Sequence, residues 1–253
     1  MGSVSAPNII LYTNHRCPWA HRAHIALAEL GLEYTEEIIN LSVPRTPEYL
    51  KVNPRGLVPS INYNGNIVTE SAIVAQFLAD AHPSHLVKTS SEEGGALQRA
   101  RIAYFVDAYF SKVNGGFWGI LFAEGEEKQK LAEAFVDAVV KEVEPLLQDA
   151  APFFGGSKKL TLAEVQTGSF LLRLLHLPKY EAAELLPKSI LTSLESRAPA
   201  FWKWANAVIV EKSVNYIFDG SCFHILFFLI PIPGVLSSIP GLYYQLRYDL
   251  DFT

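Results

Sequence analysis

Cysteine is scarce, with only Cys17 and Cys222 among 253 residues. Two thiols make no disulfide framework, and their scarcity fits a reducing compartment. Charge is thin as well, at 19% of residues against a usual share of about 25%. The 26 acidic and 21 basic side chains leave a net charge of −5, and no Lys/Arg cluster stands out. That argues against a nucleic-acid partner. Internal repeats and low-complexity stretches are missing, and 49% apolar residues exclude a disordered or fibrous chain.

Long uninterrupted apolar runs are missing too. Gly220 to Leu246 carries no formal charge and holds Phe223, Phe227, Phe228, Tyr243 and Tyr244, but Pro231, Pro233, Gly234 and Pro240 break it. A membrane-spanning helix needs about 20 consecutive apolar residues, so no span is expected. Residues 221–253 are expected to cover apolar surface on the body of the protein or to lid an apolar cleft. Met1 to Asn8 has no basic stretch leading into an apolar run, and Ala6 stands where an acylation signal needs Ser or Thr. A cytoplasmic protein is the expectation.

The residues present divide the chain by pattern. Ile9 to Tyr12 reads as a strand buried on both faces. Ala20 to Leu30 reads as a helix that Gly31 closes, and Tyr34 to Leu41 as a second strand. A short turn at Glu48-Tyr49-Leu50 follows. Strands at Val58 to Tyr63 and Ile67 to Thr69 flank Asn64-Gly65, a hairpin signal because both central residues need positive φ. Ser71 is expected to cap a helix through Ile73, Val74, Phe77 and Leu78. Beyond a polar linker the periodicity is helical only: one long helix through Ile102, Phe105 and Tyr109, another from Leu131 to Leu147, a capping box at Thr161 and Glu164, and a late buried helix with Phe201 and Trp204. The expected divisions are an α/β unit over 7–81, a linker over 82–94, an all-helical unit over 95–220, and the apolar tail.

Three short segments carry chemistry. Cys17 follows a buried strand and opens a helix, and Pro18 suits the first helical turn. The unpaired amides and partial positive charge of a helix N-terminus stabilise a thiolate and lower its pKa. Ala20 stands three residues on, so the motif forms no internal disulfide, whereas a mixed disulfide with an external thiol is open to it. Val58-Pro59 starts a strand, where proline signals a special backbone. Glu70-Ser71 opens a helix and offers amides and a hydroxyl for an anion, with a carboxylate for an ammonium. Together they suit an α-amino acid head group. His21 and His24 lie on the same helix as Cys17 but lack a carboxylate nearby in sequence, so no metal site is expected. Arg22 is expected to pair with a carboxylate or the following turn.

Cys17-Pro18-Trp19-Ala20 with Arg22, then Asn53-Pro54-Arg55-Gly56-Leu57-Val58-Pro59, then Glu70-Ser71 resembles the cytosolic glutathione transferases over about 220 residues. The cysteine motif looks like the omega-type classes, although the family usually has Asp where Glu164 stands. The resemblance implies the glutathione transferase fold: a thioredoxin-like α/β N-terminal domain (βαβ-α-ββα) and an all-α C-terminal domain. It implies glutathione as cosubstrate, held by Cys17, Trp19, Arg45, Val58, a cis Pro59, Glu70 and Ser71. Arg45 would reach the glycine carboxylate, Val58 would pair with the cysteinyl backbone, and Glu70 and Ser71 would hold the γ-glutamyl end. It also implies a homodimer. The general character looks like fungal transferases that tailor secondary metabolites.

The leading expectation is an enzyme that uses the glutathione thiolate on an apolar electrophile, in a cleft lined by Tyr104, Tyr109, Phe117 and Trp118. Two other reactions stay open. One is cis/trans isomerisation of a conjugated double bond. The other is reduction of a mixed disulfide, or thioether cleavage, by Cys17. A non-catalytic ligand binder is the alternative of another class.

Overall fold

A computed structural model describes residues 6–179 and 185–219. The expectations for residues 221–253 lie outside them. The N-terminal unit is a four-stranded sheet in the order β2-β1-β3-β4. Its strands are β1 (Ile9–Thr13), β2 (Thr35–Ile38), β3 (Ser60–Tyr63) and β4 (Asn66–Thr69). The β1–β2 pair is parallel, and the β1–β3 and β3–β4 pairs are antiparallel. Helix α1 (Pro18–Leu30) makes the crossover from β1 to β2, and Gly31 closes it at φ 62°. Helix α2 (Pro47–Val52) precedes β3. Asn64 and Gly65 turn the β3–β4 hairpin at φ 51° and 88°. Helix α3 (Ser71–Ala81) follows β4.

Everything after the linker is helical among the described residues. Helices α4 (Gly95–Ala108), α5 (Asn114–Phe122), α6 (Gly125–Ala138), α7 (Leu162–His176), α8 (Ser189–Arg197), α9 (Pro199–Ile209) and α10 (Lys212–Asn215) run through these described residues. A β-α-β-α-β-β-α unit followed by an all-helical unit is the architecture expected from the sequence. Gly95 starts α4 where a Cβ would lie 1.9 Å from the Thr89 carbonyl oxygen, so only glycine allows that approach. None of the described helices is long and apolar enough to cross a membrane.

Two expected long helices are each interrupted. Residues Tyr109–Val113 form a widened π turn between α4 and α5, and Val139–Val143 form another after α6. The two wide turns pack against each other. A tighter turn, Glu144–Leu147, begins with Pro145 near its N-terminus. A period of 3.6 residues does not register one extra residue in a turn, so periodicity alone reads each stretch as one helix.

One continuous core joins the two units. It runs from Leu11, Ile25, Leu27 and Ile61 through Leu78 to Phe105, Leu171, Phe201 and Trp204. Helix α7 forms its axis, packing against α1, α3, α4 and α9. The capping box at its start also anchors a buried acid. Glu164 Oε2 accepts from Thr161 N and Oγ1, both at 2.7 Å, while Oε1 accepts from Phe154 N at 2.7 Å and Trp204 Nε1 at 2.6 Å. A smaller cluster on the other side of the sheet gathers Tyr12, Cys17, Ala20, Ile39, Tyr49 and Val58.

Candidate functional site

Cys17 is the N-cap of α1, with Pro18 at the first helical position and the Cys17 carbonyl already accepting from His21 N at 3.1 Å. The thiol therefore sits at the positive end of a 13-residue helix. Its Sγ meets the Val58 carbonyl oxygen at 4.0 Å. Tyr12 shares the cluster of Cys17, and the polar residues between them are hydrogen-bonded to other partners. Tyr12 packs on Tyr49 at 5.7 Å between ring centres, and Thr13 Oγ1 bonds His24 Nε2 at 2.8 Å. Asn14 Nδ2 donates to the Ile39 carbonyl, and His15 Nε2 meets Glu36 Oε2 at 2.6 Å.

The Val58–Pro59 peptide bond is cis. Its loop is held from below by Tyr49 Oη, which donates to the Leu57 carbonyl at 2.5 Å, and by Asn53 Nδ2, which donates to the same oxygen at 3.0 Å. Burial pushes the Tyr49 phenol up to about 12, so it stays a donor at neutral pH. Glu70 then enters α3 at φ 68° and ψ 118°, a backbone conformation rare for a residue with a side chain. Such strain is worth about 1–3 kcal/mol and concentrates where a side chain must be aimed. The Glu70 carboxylate accepts from Arg55 Nη1 at 2.6 Å.

Glu70, and not Ser71, occupies the N-cap position of α3. Ser71 lies inside the helix and its Oγ accepts from Arg22 Nη1 at 2.9 Å. Arg22 is buried. Its Nε donates to the Gln166 carbonyl at 2.8 Å, and its guanidinium lies over Phe110 at 4.2 Å and Trp19 at 4.6 Å. Desolvated cation–π contacts of this kind contribute about 2 kcal/mol.

A cleft of about 270 Å³ opens where these elements meet. Trp19, Val58, Pro59, Glu70 and Ser71, all singled out by sequence, come together in its lining with Arg22, Asn53 and Arg55. Cys17 lies beneath it against Val58. Arg45 is not brought there. Its guanidinium donates to the Gly56, Asn40 and Val43 carbonyls and clamps the loop before α2. Tyr104 is 62% exposed and lines a separate concavity with Arg101 and Phe154. Tyr109 and Phe117 are buried in the core, and Trp118 packs partly against it. Burial also raises the Tyr109 phenol pKa, with Arg22 opposing.

One residue near the thiol escaped the sequence reading. Arg173 on α7 is buried and donates to the Arg16 carbonyl at 3.1 Å and the Ser169 carbonyl at 2.7 Å. This sets a guanidinium against the turn that carries Cys17. Burial lowers its pKa to about 10, and the charge of the Cys17 thiolate acts in the opposite direction. It remains cationic at neutral pH and favours the ionised thiol. The available signal was an Arg inside the apolar run Leu171-Leu172-Arg173-Leu174-Leu175. His21 and His24 are buried and held neutral, the latter lowered to about 4 by desolvation.

Residues 16–81 match the family model for the glutathione S-transferase N-terminal domain. Rat glutathione S-transferase omega-1 is 28% identical over 194 residues, covering 74% of this chain and 76% of the rat protein. The structure of glutathione transferase Omega 2C from Trametes versicolor superposes with a TM-score of 0.72 at 26% identity, over 87% of this chain and 97% of that one. The N-terminal segment is thus a glutathione S-transferase N-terminal domain, and the chain is similar to glutathione transferases over about three quarters of its length. Rice GST1, solved in complex with glutathione, shares the transferase fold with a TM-score of 0.74 at 21% identity, over 90% of this chain and 100% of that one. In this chain the matched segment begins one residue before Cys17 and ends with α3. It therefore contains every residue that lines the cleft up to Ala72.

Proposed function

We propose that this transferase binds glutathione in the cleft over Cys17 and uses Cys17 as the nucleophile of a thiol-transfer reaction on apolar glutathionylated small molecules. The observation that carries this reading is the position of Cys17 at the N-terminus of α1 beside Arg173, with Thr13, Asn14 and His15 hydrogen-bonded elsewhere. The omega-named relatives and the glutathione-bound rice structure support it.

Val58 would pair with the cysteinyl backbone, and Glu70 with the first-turn amides of α3 would hold the γ-glutamyl ammonium and carboxylate. Trp19 would floor the site on the acceptor side. The Cys17 thiolate attacks the glutathione sulfur of a mixed disulfide, the S–S bond breaks, and the acceptor leaves as a thiolate. The thiolate of a second glutathione then attacks the Cys17–glutathione disulfide, releasing glutathione disulfide and restoring Cys17. Electrons balance: the sulfur of the second glutathione is oxidised from thiol to disulfide level, and the acceptor sulfur is reduced from disulfide to thiol.

Within this reading, residues 7–81 bind glutathione and residues 95–220 supply the acceptor wall. The protein pairs as a homodimer through the face where α3 meets α4. There a concavity of about 490 Å³ is lined by Ile73, Phe77, Arg99 and Ile102.

The test is turnover of a glutathionyl mixed disulfide of an apolar thiol, read as glutathione disulfide formed, alongside intact-protein mass. Wild type should turn over and carry one glutathionyl adduct, and Cys17→Ser should lose both. Retained turnover in Cys17→Ser would discard the cysteine mechanism. Consumption of glutathione on an apolar electrophile by that variant would favour conjugation by the cosubstrate's own thiolate. Isomerised polyene with glutathione undiminished would favour addition and elimination.

A further inference from the structure

Tyr12 joins the cluster around Cys17, whereas the next residue of β1, Thr13, points to the opposite face and bonds His24. A second group of polar side chains gathers there, outside the glutathione cleft. His15 comes from the loop after β1, His24 from the middle of α1, and Glu36 from the edge strand β2. One ligand atom from each lies within 4.8 Å of the others. His15 Nε2 is 2.6 Å from Glu36 Oε2, and His24 Nδ1 is 3.8 Å from Glu36 Oε1. Two phenols close the group: Tyr34 Oη is 3.0 Å and Tyr216 Oη 3.3 Å from the same His24 nitrogen.

We propose that His15, His24 and Glu36 bind a divalent cation of the zinc type, with the Tyr34 oxygen nearest the remaining coordination position. The donor chemistry selects the class. Two imidazoles and one carboxylate suit Zn²⁺ and its borderline neighbours, whereas Ca²⁺ and Mg²⁺ take oxygen donors. The outer contacts fit as well. A proton on His24 Nε2 donated to Thr13 Oγ1 turns the Nδ1 lone pair into the cluster, as outer hydrogen bonds do for metal-bound histidines.

Geometry permits the step. Ligands about 2.1 Å from a tetrahedral ion stand about 3.4 Å apart. The 2.6 Å contact must widen and the 3.8 Å contact close slightly. His15 is 45% exposed at its side chain and has room to swing, whereas His24 is fully buried and fixed on α1. The ion would tie the edge strand and the loop before Cys17 to α1, next to Tyr216 from the segment after α10. This inference is independent of glutathione.

The test uses metal-free full-length protein in a Cys17→Ser background, titrated with Co²⁺ as a coloured stand-in and with Zn²⁺ in a calorimeter. One equivalent should bind with tetrahedral d–d bands, without a thiolate charge-transfer band, and should raise the melting temperature. His15→Ala and Glu36→Gln alter partly exposed side chains. Each should weaken binding by about tenfold or more, since loss of outer contacts alone costs about 10–100-fold, while the metal-free circular dichroism stays as in the parent. Absence of binding at one equivalent, a thiolate charge-transfer band, or unchanged affinity in both variants would overturn the proposal.

Discussion

Glu70 performs two tasks that pull in different directions. Its carboxylate is paired with Arg55 on a half-exposed surface, a contact worth about 0–1 kcal/mol. Its backbone is held at φ 68°, a conformation that costs more than the ion pair returns. An expense of this kind is maintained by the surrounding loop and α3, and it aims the carboxylate at the cleft. Glu70→Ala should therefore weaken glutathione binding by about 1.5–3 kcal/mol, the usual range for a charged hydrogen bond. Calorimetric titration checks this, and unchanged affinity would remove Glu70 from the γ-glutamyl end. Stability should move by less than 1 kcal/mol, about the worth of an exposed pair, because the lost contact is at the surface.

At the scale of elements, α7 is the part the fold depends on most. Glu164 takes four hydrogen bonds in a fully buried position, from its own helix cap, from the loop at Phe154 and from Trp204 on α9. Burial raises its pKa, and the hydrogen bonds from Thr161, Trp204 and Phe154 lower it. Replacing Glu164 by Gln puts an NH₂ against donors. It should destabilise the protein by about 1–3 kcal/mol, the cost of leaving buried groups unsatisfied, with a matching fall in denaturant midpoint and an unchanged glutathione affinity.

Elements were legible in the sequence where their signals were local. The strand before Cys17, the Gly31 stop, the Asn64-Gly65 hairpin and the Thr161–Glu164 box each depend on neighbours within a few positions. The same holds for the cleft residues next to helix starts, Trp19, Glu70 and Ser71. What failed was long-range. Periodicity gives an apolar face but not which neighbour covers it, so Tyr104 was set in a cleft although it lies on an outer surface. Arg45 was assigned to a ligand carboxylate, yet three backbone carbonyls take its guanidinium. Arg173 reaches the Arg16 carbonyl, next to Cys17, from across 157 residues of sequence, and Glu36 of β2 meets His24 of α1 once the crossover lays β2 beside β1. No local pattern encodes either approach.

For the molecule as a whole, the face formed by α3 and α4 is apolar at its centre and charged at its rim. Ile73 is 56% exposed there, beside the Asp80–Arg99 ion pair and the concavity they share. The proposed pairing through this face should yield to one charge at its centre. Ile73→Glu should convert a dimer to a monomer in light scattering, with melting temperature falling as the protomers separate. A wild-type monomer at micromolar concentration would dismiss the pairing.

The position of Arg22 constrains how the cleft works. Its guanidinium is clasped at once by Ser71 of α3, the Gln166 carbonyl of α7, and the rings of Trp19 and Phe110. Swinging the helical unit away from the sheet would strand a cation between halves that each hold part of its coordination. The two walls of the groove are thus riveted together, and widening it would cost that whole set of contacts at once.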